Sequence, residues 1–180
     1  MNDSTDLKLC NIDPCYAEDV YHAIVENRSY LAQWLPWVER THSIEDTRLF
    51  LAHSKHKHSQ KKQFITLIYL AQRFIGITGF THLDSNKQHG ELGYWLIESA
   101  QHQGHMTHAT QQLVRIGFEH LNLEKQIIRV ATKNLASTSL AQHLGFEYQG
   151  LEPLPIYINQ KPFELAVYSL NKTQWQHAEK

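Results

Sequence analysis

The residues best placed to do chemistry lie in the run from Tyr94 to Ala109. There a β-rich stretch ends, a short polar loop follows, and a helical period opens at Gly104. The first amides of a helix have no intrahelical partner, and with the helix dipole they form an anion site. Gly104 would let a ligand come close to the backbone. Phosphate or diphosphate is the natural guest. On spacing alone, a plain tight turn is an equal reading. Two other phosphate loops are excluded, because neither G-x-x-x-x-G-K-[ST] nor G-x-G-x-x-G occurs.

The thirteen histidines invite a metal reading. His53, His56 and His58 alternate with Lys55 and Lys57, which repel cations, and no cysteine or carboxylate joins them; a solvated stretch is expected. His102, His105 and His108 recur every third residue at the helix start. They read as added positive charge when protonated, not as ligands, so no metal is expected. Cys10 and Cys15 are expected to be free, inert thiols.

The elements that must position this loop follow from periodicity. Residues 7–9 suit a strand. Asp13-Pro14 opens a helix with Val20, Ile24 and Val25 on its apolar face. Residues 30–35 read as helical up to Pro36. Ser43 and Asp46 cap a helix before Leu49, Phe50 and Leu51, which should run out in the polar residues 53–58. Residues 64–70 and 74–80 suit a hairpin, 84–88 a turn and 91–97 a third strand, an antiparallel meander. Met106, Ala109, Leu113, Ile116, Gly117 and Leu121 then recur at helical spacing. A strand over 127–132, a helix over 134–144 capped by Gly145, and strands at 146–148 and 165–170 complete the chain. The expected class is α+β: a mixed, mostly antiparallel sheet flanked by helices, with a βαβ unit joined to the meander.

Bulk properties agree. The 180 residues suit one domain over 1–180, and 42% hydrophobic with 19% charged residues is ordinary globular composition. Seventeen basic residues against eighteen acidic ones, net -1, argue against a nucleic-acid partner. The N-terminus lacks the basic start and apolar core of a signal peptide, and no apolar run approaches the ~20 residues of a membrane span. A cytoplasmic protein is expected, and a homodimer is the general prior for oligomers.

Gln101-x-x-Gly104-x-Met106 resembles the Q/R-x-x-G-x-G/A signature of the GCN5-related N-acetyltransferases (GNAT). Five further pieces, in family order, resemble the ribosomal-protein-serine acetyltransferase group. They are Trp34-Leu-Pro-Trp37, Glu45-Asp-Thr47, Glu91-Leu-Gly-Tyr-Trp-Leu96, Met106-Thr-His-Ala109, and Asn134-x-x-Ser137 followed by Leu144-Gly-Phe146. The resemblance implies central strands that splay apart around acetyl-CoA. It implies backbone amides of Gln101, His102, Gln103, Gly104, His105, Met106 and Thr107 on the diphosphate. Tyr94, Trp95 and Leu96 would lie along the pantetheine arm, where a strand amide could polarise the thioester carbonyl. Asn134 would bond the same arm, Ser137 would protonate the leaving thiolate, and His143 would approach the phosphates.

Trp34, Trp37 and Tyr157 are the candidate acceptor-side residues, with core packing as the alternative for the two tryptophans. The family's glycine after Gln101 is His102 here, and its glutamate is His108. The glutamate proposed as base falls near Ile156, so that role does not transfer. Glu91 is the leading substitute, with a structural hydrogen bond as its alternative; Glu152, Glu164 and Tyr157 are weaker candidates. The implied reaction is direct attack on acetyl-CoA by a protein N-terminal α-amine in a ternary complex. A small amine (polyamine, amino acid or amino sugar) and a non-catalytic acetyl-CoA-binding module are the alternatives.

Overall fold

The computed structural model describes residues 6–178. The reading of the extreme N-terminus includes residues 1–5, which lie outside the described residues. Strand β1 (Leu7–Asn11) leads to a single turn, Pro14–Tyr16, where the Asp13 carboxylate accepts from the Cys15 amide at 3.0 Å. Helix α1 (Ala17–Glu26) buries Ala17, Val20, Ala23 and Ile24. Val25 is 42% exposed rather than part of that face, because one residue on from Ile24 is ~100° further round the helix.

The helix expected over 30–35 is shorter and earlier: α2 is Arg28–Leu31. Pro36 disfavours α geometry at residue 35. The Arg28 guanidinium then shapes the connection, donating to the Val38 and Thr41 carbonyls at 2.5 and 2.6 Å. Helix α3 (Ile44–Ser59) starts at the expected box, with Ser43 Oγ accepting from the Asp46 amide and the Asp46 carboxylate accepting from the Ser43 amide. It ends at Ser59, one residue past the polar stretch 53–58 in which it was expected to run out. Thr47, Leu51 and Ser54 form its buried stripe, and His56, Lys57 and His58 suit the negative end of the dipole. Of the apolar residues after the cap, Leu51 is buried while Leu49 and Phe50 are exposed.

Strands β2 (Phe64–Leu70) and β3 (Arg73–Asp84) form the expected hairpin. Its two-residue turn puts both Ala71 and Gln72 at positive φ, as the twist of paired strands favours. After β4 (His89–Leu96) come α4 (His105–Glu119), β5 (Lys125–Ala131) and α5 (Leu135–His143). Strand β6 (Glu147–Leu151) precedes a separate hairpin, β7 (Ile156–Ile158) and β8 (Lys161–Phe163), then β9 (Leu165–Asn171) and α6 (Lys172–Ala178). The small hairpin and α6 are absent from the sequence reading. Three-residue strands carry almost no periodicity, and the α6 segment shows only one large apolar residue, Trp175, which stacks on Phe118 at 5.2 Å.

The main sheet has the order β1-β2-β3-β4-β5-β9-β6 and is antiparallel except for β4 with β5. That parallel pair is joined by α4, the expected βαβ unit. Two apolar clusters hold the molecule. One packs α1 and α3 residues such as Val20 and Leu51 with Leu67 and Ile77 of β2 and β3; the other packs Leu113 and Phe118 of α4 with Phe80, Ile128 and Tyr168.

Candidate active site

The parallel ladder between β4 and β5 stops early. Its pairs run from His89↔Lys125 to Leu92↔Ile128, whereas β4 stays paired with β3 to Leu96 and β5 stays paired with β9 to Ala131. Beyond Leu92 and Ile128 the two strands therefore splay, and their facing backbone groups lack a sheet partner. Polar backbone without a partner is costly when buried, and here it opens onto a cleft of about 780 Å³. Leu92 to Leu96, Ile128 to Ala131, the start of α4 and one side of α5 line it, with Trp34 and Ile156 on the opposite wall.

The loop entering α4 forms one end of the cleft. Gln101 closes the strand, its side-chain Nε2 donating to the Leu96 carbonyl at 3.2 Å. His102 and Gly104 both have positive φ, 60° and 80°. The position where the family pattern carries its first glycine is therefore one whose backbone favours glycine, and His102 adopts it. A Cβ on Gly104 would meet nothing within 4 Å, so the space in front of this backbone is open. His108 is the first α4 amide with a backbone partner, the Gly104 carbonyl at 3.0 Å; from His102 to Thr107 no amide bonds to a backbone carbonyl. That is a row of outward donors at a helix N-terminus, which suits a diphosphate.

Asn134 caps α5, its side-chain oxygen accepting from the Ser137 amide at 3.1 Å. This leaves its NH₂ donors toward the cleft that it lines. Ser137 is half-buried and lines the cleft. Its carbonyl accepts from the Tyr94 hydroxyl at 3.4 Å, a bond that ties the splayed end of β4 to α5. Burial pushes the Tyr94 phenol up to about 12, against a smaller opposing effect of the Ser137 contact. Tyr94 is therefore a neutral donor at working pH.

The opposite wall is built by the 27–41 connection and the β7–β8 hairpin. Asn27 accepts from the Glu98 amide at 2.9 Å, and Asn159 donates to the Ala32 carbonyl at 3.1 Å. Trp34 meets Phe163 edge-on, with ring centroids 6.0 Å apart.

Of the sequence-derived residues, Tyr94, Trp95, Leu96, Gln101, His102, Gly104, His105, Met106, Thr107, Asn134, Ser137, His143 and Trp34 line this one cleft. Four do not. Gln103 turns back to the Ser99 carbonyl. Trp37 packs on Trp95 at 6.1 Å, the core reading of that residue. Tyr157 lies on the outer side of its hairpin, 64% exposed, and its neighbour Ile156 faces the cleft instead. Glu91 is engaged by Arg129, which also donates through Nε to Glu152 at 2.7 Å. This ion pair is the structural role weighed for Glu91 as the alternative to a base.

Sequence reasoning passed over Arg129, which lines the cleft at the point of splay. The available signal was a lone charge inside the apolar strand Ile127-Ile-Arg-Val130. Burial by itself would weaken its charge; Glu152 and Glu91 more than reverse that, and its basicity is raised. Among the described residues no group of three or more His, Cys, Asp or Glu could hold a metal ion, and no helix is long and apolar enough to cross a membrane.

Comparison with known proteins agrees with this architecture. The ribosomal-protein-serine acetyltransferase of Escherichia coli (strain K12) is 26% identical over 166 residues, covering 92% of this chain and 93% of that protein. A solved structure of RimL, a ribosomal-protein α-N-acetyltransferase in complex with coenzyme A, superposes with a TM-score of 0.90 at 24% identity, covering 93% of this chain and 95% of that one. A Salmonella typhimurium acetyltransferase, described as modifying the N-terminal serine of a 50S ribosomal subunit protein, superposes with a TM-score of 0.84 at 23% identity, covering 93% and 96%. The family model of the acetyltransferase (GNAT) domain matches residues 7–147. A strand splay, a row of unpartnered amides and a matching family pattern thus meet at one cleft, and the chain belongs to the GNAT family of acetyl-CoA-dependent N-acetyltransferases.

Proposed function

We propose that this enzyme transfers the acetyl group of acetyl-CoA to the N-terminal α-amine of a protein, with a ribosomal protein as its acceptor. The donor half rests on the splay of β4 and β5 beside the amide row of residues 102–107. The amides and the Asn134 NH₂ hold the diphosphate and pantetheine arm, and amides of β4 face the thioester carbonyl. The acceptor half rests on the naming of the Escherichia coli relative and on the chemistry of the cleft wall. No aspartate or glutamate is among the described cleft-lining residues. A polyamine carries several cations that would each need a carboxylate partner, so that acceptor is disfavoured. A single α-amine, with its ordinary value near 7.7–8.0, already has a reactive neutral fraction at neutral pH and attacks without a strong base. The new C–N bond forms as the C–S bond breaks. The amine's proton leaves to solvent, and the Ser137 hydroxyl passes a proton to the thiolate as it takes one back from solvent, so that coenzyme A leaves as the thiol and Ser137 is restored.

The test is thiol release from acetyl-CoA with peptides bearing free N-terminal serine or alanine. Turnover is expected with such peptides and not with polyamines; the reverse pattern would replace the acceptor. Replacing Ser137 by alanine should lower kcat by about 10²-fold with little change in acetyl-CoA affinity, as loss of a general acid does. An unchanged kcat would remove Ser137 from the mechanism.

A further inference from the structure

The mouth of the splay carries a three-charge cluster that the donor site does not use. Arg129 is the first β5 residue beyond the last parallel pair, Leu92↔Ile128. Its Nη1 donates to Glu91 on β4, and its Nε donates to Glu152 just after β6 at 2.7 Å. The Glu152 amide in turn donates to the Leu165 carbonyl at 2.8 Å. One guanidinium therefore ties together β4, β5 and the start of the segment that carries Ile156 to the acceptor wall.

A guanidinium has five N–H donors in a fixed fork. Two are spent on the glutamates. The Nη2 donors have no acceptor among the described residues, and Arg129 is the one cleft-lining side chain with a permanent charge. Held from two sides, its fork cannot swing to follow a flexible ligand. With its charge already balanced by two carboxylates, the group is a poor partner for an anion and a good donor to a neutral carbonyl.

We infer that Arg129, oriented by Glu91 and Glu152, donates a hydrogen bond to the first carbonyl of the acceptor and so selects amines that carry a carbonyl one carbon away. This rests on the N-terminal reading of the acceptor and adds the feature by which the site tells a peptide end from a simple amine. The Arg129 side chain is 32% exposed, so water serves its spare donors in the free enzyme. An acceptor carbonyl exchanges that water for a fixed hydrogen bond that an analogue without a carbonyl cannot make, and discrimination should appear in kcat/KM.

The test compares a seryl peptide with ethanolamine, which keeps the serine hydroxyl and amine but has no carbonyl. The wild-type enzyme and Arg129→Met are assayed with both, alongside titration of CoA binding. Because Arg129→Met leaves two carboxylates facing each other, the triple variant Glu91→Gln, Arg129→Met, Glu152→Gln is the second probe. The wild-type enzyme should prefer the peptide, and the ratio of kcat/KM for peptide over ethanolamine should fall about three- to tenfold in both variants, the size expected of one net hydrogen bond at a solvent-accessible donor. CoA affinity should hold. A wild-type preference that persists unchanged in a variant still binding CoA overturns this inference alone. Wild-type turnover of ethanolamine without turnover of the peptide overturns it together with the N-terminal reading.

Discussion

Gly104 carries the most consequence per atom in the cofactor loop. Its φ of 80° is the left-handed region, and open space lies before it. Gly104→Ala therefore adds backbone strain without a steric clash, about 1–2 kcal/mol. The added methyl also stands in front of the amide row. Thermal melts should show the loss of stability, and isothermal titration should show weaker CoA binding. Unaltered affinity would mean that the diphosphate does not approach this backbone. The loop's chemistry was legible because glycine and its spacing report backbone conformation directly. Arg129 was not, because its value lies in two glutamates, one 38 residues before it and one 23 residues after it.

At the scale of elements, the junction of β1 and α1 is pinned to α3 by Asp13 and Lys55, 2.6 Å apart. The Lys55 ammonium, followed by the Cys15 amide, holds the Asp13 carboxyl down at about 2. A carboxyl lowered on folding stabilises the protein above its ordinary value near 3.9, and that contribution is lost as pH falls through about 2. Asp13→Asn should accordingly lower Tm at pH 7, with the gap to wild type narrowing as pH falls from about 4 through about 2. A gap independent of pH would assign the effect to the turn alone. Long periodic elements such as β2, α4 and β5 were legible because one face of each is buried by a continuous layer. Helix α3 stays helical through its polar last turns with a buried stripe of only Thr47, Leu51 and Ser54.

At the scale of the whole molecule, the cleft joins both apolar clusters: β4 supplies Leu96 to one and Leu92 to the other. A ligand bridging the splay should stabilise the folded state as a unit. At 100 times its Kd, CoA should add about 2.7 kcal/mol, a rise in Tm of roughly 5–10 °C. Pantetheine, which lacks the diphosphate, should give a smaller shift at equal concentration. Equal shifts would place the binding energy elsewhere than the α4 N-terminus.

The sequence by itself determined the local elements of the donor end, and the family pattern they match gave those elements their meaning. Helix starts, caps and glycine turns are local, so residues 101–107 and the Asn134–Ser137 cap could be read from neighbours in the chain. The acceptor end was decided only by the tertiary structure. Trp34, Ile156 and Arg129 meet there from three distant segments. Whether Tyr157 or Ile156 faces the cleft turns on the pleat of a three-residue strand, and whether Glu91 is a base turns on which cation the sheet register sets beside it. Such long-range pairings leave no period in the chain, and a one-residue change of face reverses their meaning.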